Sequence, residues 1–317
     1  MKPARVFYAD LAEGPDGGQA WSVTAKDGTR LRIGTWLNGT KGTIVTFPGR
    51  NEHIEKYGRV AAAFERRGWS VTSIDWRGQG MSDRVAGTEP FGHIDRFEDY
   101  QIDVVAYLDT IKALGAPEPY MLLAHSMGGA IGLRALHEGL DVSAAAFSAP
   151  MWGIHVPPLL RPVARILSTL ASYIGLGRTP IPVGTRGSYF RETPFAKNSL
   201  TSDENSYDYL VAQAQRDDRL ALGRPTLRWL SEAMREVRWL HAIPQPNLPL
   251  FVATGSAERT VDNKKIRKLI AKWQDFETVE YEGARHELMM ELPKTRENLF
   301  DRVEALFEAA RSGSTSP

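Results

Sequence analysis

The sequence predicts an α/β protein in which a mostly parallel sheet is covered by helices on both faces. Apolar runs of strand length alternate with amphipathic runs of helix length through residues 1–150. A proline-rich stretch then interrupts the alternation, which resumes after residue 240. Strands separated by helix-length segments have the long crossovers that parallel pairing requires.

Trp21 to Leu37 alternates around Asp27-Gly28 and predicts a hairpin. Thr43 to Phe47 predicts a buried strand that stops at Pro48-Gly49. A helix follows, with Tyr57, Val60, Ala61 and Phe64 on one face and Gly68 as its stop. Trp69 to Ile74 reads as the next strand, and a helix carrying Val104, Leu108 and Ile111 comes after it. Then come a strand running into Ser126, a helix to about His137, and the strand Val142 to Phe147. Late in the chain, Leu248 to Thr254 and Glu277 to Tyr281 read as strands flanking a helix over Asn263 to Trp273. Leu299, Val303, Leu306 and Ala310 mark a last helix, and the small polar tail from Arg311 to Pro317 is expected to be disordered. The interruption holds Pro157, Pro158, Pro162, Pro180 and Pro182, with helical patches and no clear strand. Its size predicts a helical lid, residues 151–240, inserted between core segments 1–150 and 241–317.

Lys and Arg total 39 against 38 Asp and Glu, for a net charge of +1, so nothing global points to nucleic acid or to strong electrostatic membrane binding. The chain has no cysteine, which excludes disulfides, thiolate catalysis and cysteine-bound zinc. The first residues, MKPARVFYADLAEG, lack the apolar segment of a signal peptide, and no run reaches the ~18 apolar residues of a membrane span. The expectation is a cytoplasmic protein.

Ala124-His125-Ser126-Met127-Gly128-Gly129 follows a strand and opens a helix. A serine in that position is a nucleophile candidate, although the G-x-S-x-G pattern of such elbows has alanine here in place of its first glycine. A hydroxyl becomes a useful nucleophile only when a base accepts its proton and a third group orients that base. Glu258 lies in the loop after the late strand, and His286 in the loop after the next one. Serine, acid and histidine thus follow the chain order of sheet hydrolases, each just past a strand. Asp262 is the alternative acid. His125 is read as packing beside the elbow, His53 as shaping the loop that it shares with Glu52, and Asp75 with Arg77 as a rigid turn. His93, His137, His155 and His241 show no metal-ligand spacing, so no metal site and no cofactor are expected.

These motifs, with Phe47-Pro48-Gly49-Arg50-Asn51-Glu52-His53, Asp75-Trp76-Arg77-Gly78-Gln79-Gly80-Met81-Ser82, Gly92-His93-Ile94-Asp95-Arg96-Phe97 and Gly283 to Glu287, resemble the α/β-hydrolase superfamily. Within it they are most similar to the monoacylglycerol lipase and lysophospholipase branch. Pro48-Gly49-Arg50, where that branch often has His-Gly, and Asn198 to Ser202 look most like bacterial lysophospholipases. The resemblance implies an oxyanion hole from the backbone N–H groups of Arg50 and Met127, and Glu258 at a position where aspartate is usual. It implies hydrolysis of a carboxylic ester, a lysophospholipid or monoacylglycerol, through an acyl-enzyme. The partners would be the lipid ester and water, with no obligate protein partner. An esterase for small soluble esters and a peptidase of the same fold remain open; a non-enzymatic binding module would be expected to have lost part of the triad. Leu159, Val163, Ile166 and Leu170 lie on an apolar stripe at helical spacing, read either as a lid helix packed on the core or as a wall for an acyl chain with a peripheral contact to a membrane surface. Arg50 and Arg285 flank the expected site as solvated charges, with an anionic head group as the other reading.

Overall fold

A computed structural model of the chain describes residues 1–85, 87–155, 175–182 and 187–313. Its centre is a nine-stranded sheet in the order β1-β2-β3-β5-β4-β6-β7-β8-β9. The strands are β1 (Lys2–Pro3), β2 (Gln19–Thr24), β3 (Arg30–Trp36), β4 (Thr43–Phe47), β5 (Ser70–Asp75), β6 (Tyr120–His125), β7 (Ala145–Ser148), β8 (Leu250–Gly255) and β9 (Phe276–Tyr281). β1, β2 and β3 pair antiparallel, and β3 joins β5 antiparallel. From β5 across to β9 every pairing is parallel. The expected elements are present with small shifts at their ends. Trp69, for example, does not begin β5: its N–H bonds to Phe64 O at 3.0 Å and closes the preceding helix, while Gly68 turns the chain at φ +85°.

The helices that matter for the site are α1 (Gly58–Glu65), α2 (Tyr100–Ala113), α3 (Met127–His137), α4 (Glu204–Arg216), α5 (Leu227–Leu240), α6 (Asn263–Ile270) and α7 (Pro293–Arg311). Side chains of the inner strands alternate between two apolar layers, as a period of two requires. Val45, Phe47, Leu122, Ala124, Phe147 and Val252 join the layer with α2, α3 and α6. Ile44, Met121, Leu123, Ala146, Phe251 and Ala253 join the layer with α1 and α7. Both faces of the parallel region are therefore covered, which is why its strands read as continuous apolar runs.

β4 lies between β5 and β6, so the chain crosses to one side of β4 and returns on the other. In a parallel sheet that reversal leaves a crevice at the carboxyl ends of the central strands. The loop after β4 and the turn after β6 both open there. Between residues 151 and 240 the described residues contain no strand, only short bridges and helices. α5 is seated on the core: Trp229, Ala233 and Leu240 join the first apolar layer. The Arg134 guanidinium of α3 grips Glu236 of α5 with two hydrogen bonds of 2.7 and 2.6 Å.

Candidate active site

Ser126 sits in the one-residue corner between β6 and α3, at φ 50° and ψ −117°. A non-glycine residue there stores strain of order 1–3 kcal/mol, tolerated because its surroundings fix it. Its N–H donates to Ser148 O at 3.1 Å, and its carbonyl accepts from Met151 N at 2.8 Å. The corner also needs glycine after it, because a Cβ on Gly128 would lie 1.9 Å from Phe47 O and one on Gly129 2.6 Å from Pro150 Cβ. Ala124 carries no such requirement. It lies in regular β6, in register between Phe47 and Phe147, with no positive φ. The alanine at this position is therefore compatible with the turn.

Glu258 and His286 follow β8 and β9, and the two loops touch: a Cβ on Gly255 would lie 2.2 Å from Ala284 O. The glycine lets the His286 loop close over the end of β8. His286 Nε2 is 2.9 Å from Ser126 Oγ, and its Nδ1 is 2.6 Å from Glu258 Oε2. The second Glu258 oxygen accepts the N–H groups of Thr260 at 2.5 Å and Val261 at 3.2 Å. Asp262 is placed differently. It caps α6, accepting from Lys264 N at 3.1 Å and Lys265 N at 3.3 Å, and has no hydrogen bond to His286 among those described. Burial raises the Glu258 pKa, but His286 and the two amides outweigh it and hold the carboxyl below its ordinary value. For His286, burial lowers the pKa, yet Glu258, Glu287 and Glu52 together leave it raised.

Arg50 and Met127 place their backbone N–H groups at the mouth of the crevice, and among the described residues neither has an acceptor. Met127 opens α3, where the first-turn amides are free and the helix dipole favours negative charge. The loop that carries Arg50 is held from several directions. Gln79 Nε2 donates to Gly49 O at 2.8 Å, Trp76 Nε1 donates to Pro48 O at 2.9 Å, and Glu52 Oε2 accepts from Gly49 N at 2.6 Å. Asp75 fixes the neighbouring turn, accepting from Ile54 N at 2.8 Å and Met81 N at 2.7 Å while pairing with Arg32 at 2.7 Å.

Sequence reading missed a buried charged cluster behind the histidine. Lys56 Nζ lies 2.5 Å from both Glu52 Oε1 and Glu287 Oε2, and Tyr57 donates its hydroxyl to Glu52 Oε2 at 2.8 Å. His125 Nε2 stands 3.4 and 3.3 Å from the same two carboxylates, and Nδ1 donates to Ser148 O at 3.0 Å. Its ring packs on His286 with centroids 4.8 Å apart. Burial opposes charge on Glu287 and Lys56, but each outweighs this for the other: Glu287 is held well below the usual range and Lys56 is raised. The oxygen and nitrogen atoms of Glu52, His125 and Glu287 are close enough to hold a metal ion, but the cation between the carboxylates is the Lys56 ammonium. The signals for this cluster were the Glu52/Lys56 spacing of four and an acidic residue directly after His286.

One expectation needs adjustment. Arg50 and Arg285 are half-buried, not solvated: Arg285 donates to Asn198 O and Thr201 O, and Arg50 is enclosed by the segment before α5. Leu159, Val163, Ile166 and Leu170 lie outside the described residues.

The family described as serine aminopeptidase S33 (Hydrolase_4) matches residues 38–293. The chain is 28% identical to "Probable lysophospholipase L2" of Haemophilus influenzae over 82% of each protein. It is 27% identical to the monoglyceride lipase of Rattus norvegicus over 95% of this chain and 91% of that one. A solved monoglyceride lipase of Saccharomyces cerevisiae superposes with a TM-score of 0.73 over 94% of this chain and 98% of its own, at 19% identity. The match of the family model over most of the sequence, on this sheet order, shows that the chain belongs to the serine aminopeptidase S33 family of α/β hydrolases.

Proposed function

We propose that this protein is a serine ester hydrolase acting on single-chain lipid esters, lysophospholipids or monoacylglycerols. The observation that carries the reading is the relay Ser126–His286–Glu258 at 2.9 and 2.6 Å, beside two N–H groups without acceptors among the described residues. The names of the relatives, lysophospholipase and monoglyceride lipase, support the substrate class.

In the mechanism, Ser126 Oγ attacks the ester carbonyl carbon as His286 Nε2 takes its proton. The carbonyl oxygen becomes an oxyanion and accepts from the N–H groups of Arg50 and Met127, each worth about 3 kcal/mol of transition-state stabilisation. The ester C–O bond then breaks, and the imidazolium gives its proton to the leaving alcohol oxygen. Water, deprotonated by His286, attacks the acyl-serine, and its proton passes through His286 to Ser126 as the fatty acid leaves. Glu258 keeps the Nδ1 proton facing itself throughout, which leaves Nε2 as the acceptor. Residues 1–150 and 241–317 form the core in this reading, and 151–240 the cap. The stripe at Leu159, Val163, Ile166 and Leu170 supplies the acyl wall, each buried methylene contributing about 0.8 kcal/mol. No helix among the described residues is long and apolar enough to cross a membrane.

Fluorophosphonate labelling should occur in the wild type and vanish in S126A. With p-nitrophenyl esters, kcat/KM should rise from acetate towards laurate, and a steady fall would overturn the lipid reading. Faster turnover of aminoacyl p-nitroanilides than of esters would make the protein a peptidase instead.

A further inference from the structure

Beside the oxyanion loop lies a half-buried cation that no acidic residue neutralises. Arg32, Arg77 and Arg134 are each met by a buried carboxylate, from Glu55 and Asp75, Asp103, and Glu236 respectively. Arg50 is not. Its Nη1 donates to Gly223 O at 2.8 Å, and the guanidinium stands 5.6 Å over the Trp229 ring. Among the described residues no carboxylate pairs with it, and residues 86, 156–174, 183–186 and 314–317 contain no aspartate or glutamate. The structure nevertheless makes room for the group. A Cβ on Gly92 would lie 2.9 Å from Nη1 and 3.1 Å from Leu222 Cδ2, so the glycine clears the space that the guanidinium fills. Asn51 Oδ1 accepts from Leu222 N at 2.7 Å and ties that residue to the loop of Arg50.

An enclosed guanidinium without a counter-charge is costly to the free protein, and an anionic ligand would remove that cost. Its planar fork suits two oxygens of one phosphate. The residue whose side chain makes this site also offers its backbone N–H to the ester carbonyl, so the charge is tethered to the reacting centre. The guanidinium carbon lies as many bonds from the Arg50 Cα as the phosphorus of a 1-acylglycerophospholipid lies from its ester oxygen.

We propose that the Arg50 guanidinium binds the phosphate-ester oxygens of a lysophospholipid held at Ser126, and selects it over an uncharged monoacylglycerol. This rests on the lipid-ester reading above. The test measures kcat/KM for lysophosphatidylglycerol and for 1-monoacylglycerol of the same acyl chain, below their critical micelle concentrations, in wild type, R50Q and R50K. R50Q should lower the lysophospholipid value roughly 10- to 100-fold more than the monoacylglycerol value, as loss of a hydrogen-bonded charge implies. R50K should recover part of that ratio. G92A, which sets a methyl group against Nη1, should shift the ratio the same way and covers the case in which R50Q does not fold. Equal losses on both substrates in the Arg50 variants would overturn the proposal. An unchanged ratio with relief of fatty-acid inhibition in R50Q would also overturn it, by assigning the guanidinium to the carboxylate product. A wild type that cleaves monoacylglycerol but not lysophospholipid refutes the role of Arg50 and leaves lipid-ester hydrolysis standing. One that labels with fluorophosphonate yet cleaves neither refutes the lipid reading as well.

Discussion

Replacing Glu258 by glutamine tests the proposed relay at its acid, because the substitution keeps the shape and changes one group. Glu258 Oε1 accepts two backbone N–H groups, from Thr260 and Val261, so only an oxygen can occupy that position. The amide of E258Q must then turn its NH2 towards His286 Nδ1, which lies 2.6 Å from Oε2. Nδ1 can meet an NH2 group only as an acceptor, so the ring proton moves to Nε2. That nitrogen, 2.9 Å from Ser126 Oγ, then carries a proton and cannot receive another. A wrong tautomer in a serine triad costs about 10⁴ in kcat, roughly 5.5 kcal/mol of activation free energy. D262N instead keeps an acceptor oxygen at the cap of α6, where asparagine and aspartate serve about equally, so it should change stability little and keep kcat within a few-fold of wild type. The assay is steady-state kinetics on a p-nitrophenyl ester, with thermal unfolding of each variant measured alongside. If E258Q retained more than a tenth of the wild-type kcat, or D262N lost more than E258Q, the reasoning would be refuted.

In the proposed mechanism His286 works in its neutral form, so activity should fall as pH drops through its raised pKa, on a limb above the ordinary imidazole value of ~6.5. E287Q removes one of the carboxylates that favour the imidazolium, and its acid limb should lie at lower pH; a pH–rate profile with the limb unmoved or raised would remove Glu287 from this role. K56M strips the shared cation from two buried carboxylates and should cost roughly 3–5 kcal/mol in denaturant unfolding, whereas a loss under 1 kcal/mol would show that the cluster is not held by charge. G128A drives a methyl group into a backbone carbonyl 1.9 Å away, and urea unfolding should show at least ~1–3 kcal/mol of destabilisation with lower kcat.

The fold was legible because its strands are buried on both sides and its helices are amphipathic, so each element carries its own periodic signal. Ser126 and His286 are legible as candidates because each follows a strand, where the topology leaves free loop ends. Glu258 and Asp262 are harder to tell apart in the sequence, since both are carboxylates in one loop, and only the position of Glu258 after Gly255-Ser256-Ala257 favours it there. The structure separates their surroundings: the amides of Thr260 and Val261 face Glu258, while Asp262 faces the start of α6. The cluster of Glu52, Lys56, His125 and Glu287 is hard to read for a different reason. Its members come from three segments, and only the Glu52/Lys56 spacing and the acid beside His286 leave a trace in the sequence. Arg50 illustrates the same limit: a lone arginine in a loop suggests solvation, and only the tertiary contacts of Gly92, Gly223 and Trp229 reveal its enclosure.

The charges behind the site also bear on how the proposed reaction is assisted. Glu258, Glu52 and Glu287 are the carboxylates that raise the His286 pKa, and Lys56 is the ammonium held between two of them. The resting site therefore carries an excess of negative charge around a neutral imidazole. Proton transfer from Ser126 places a positive charge where that excess is felt, so the field favours the transition state over the ground state. The carboxylates cannot turn away before the transfer, because Glu52 is tied to Gly49 N and Tyr57, and Glu258 to Thr260 N and Val261 N. Lys56 sets the limit on this effect. By joining Glu52, in the loop of Arg50, to Glu287, beside His286, it holds the two halves of the site in register and offsets the repulsion between the carboxylates.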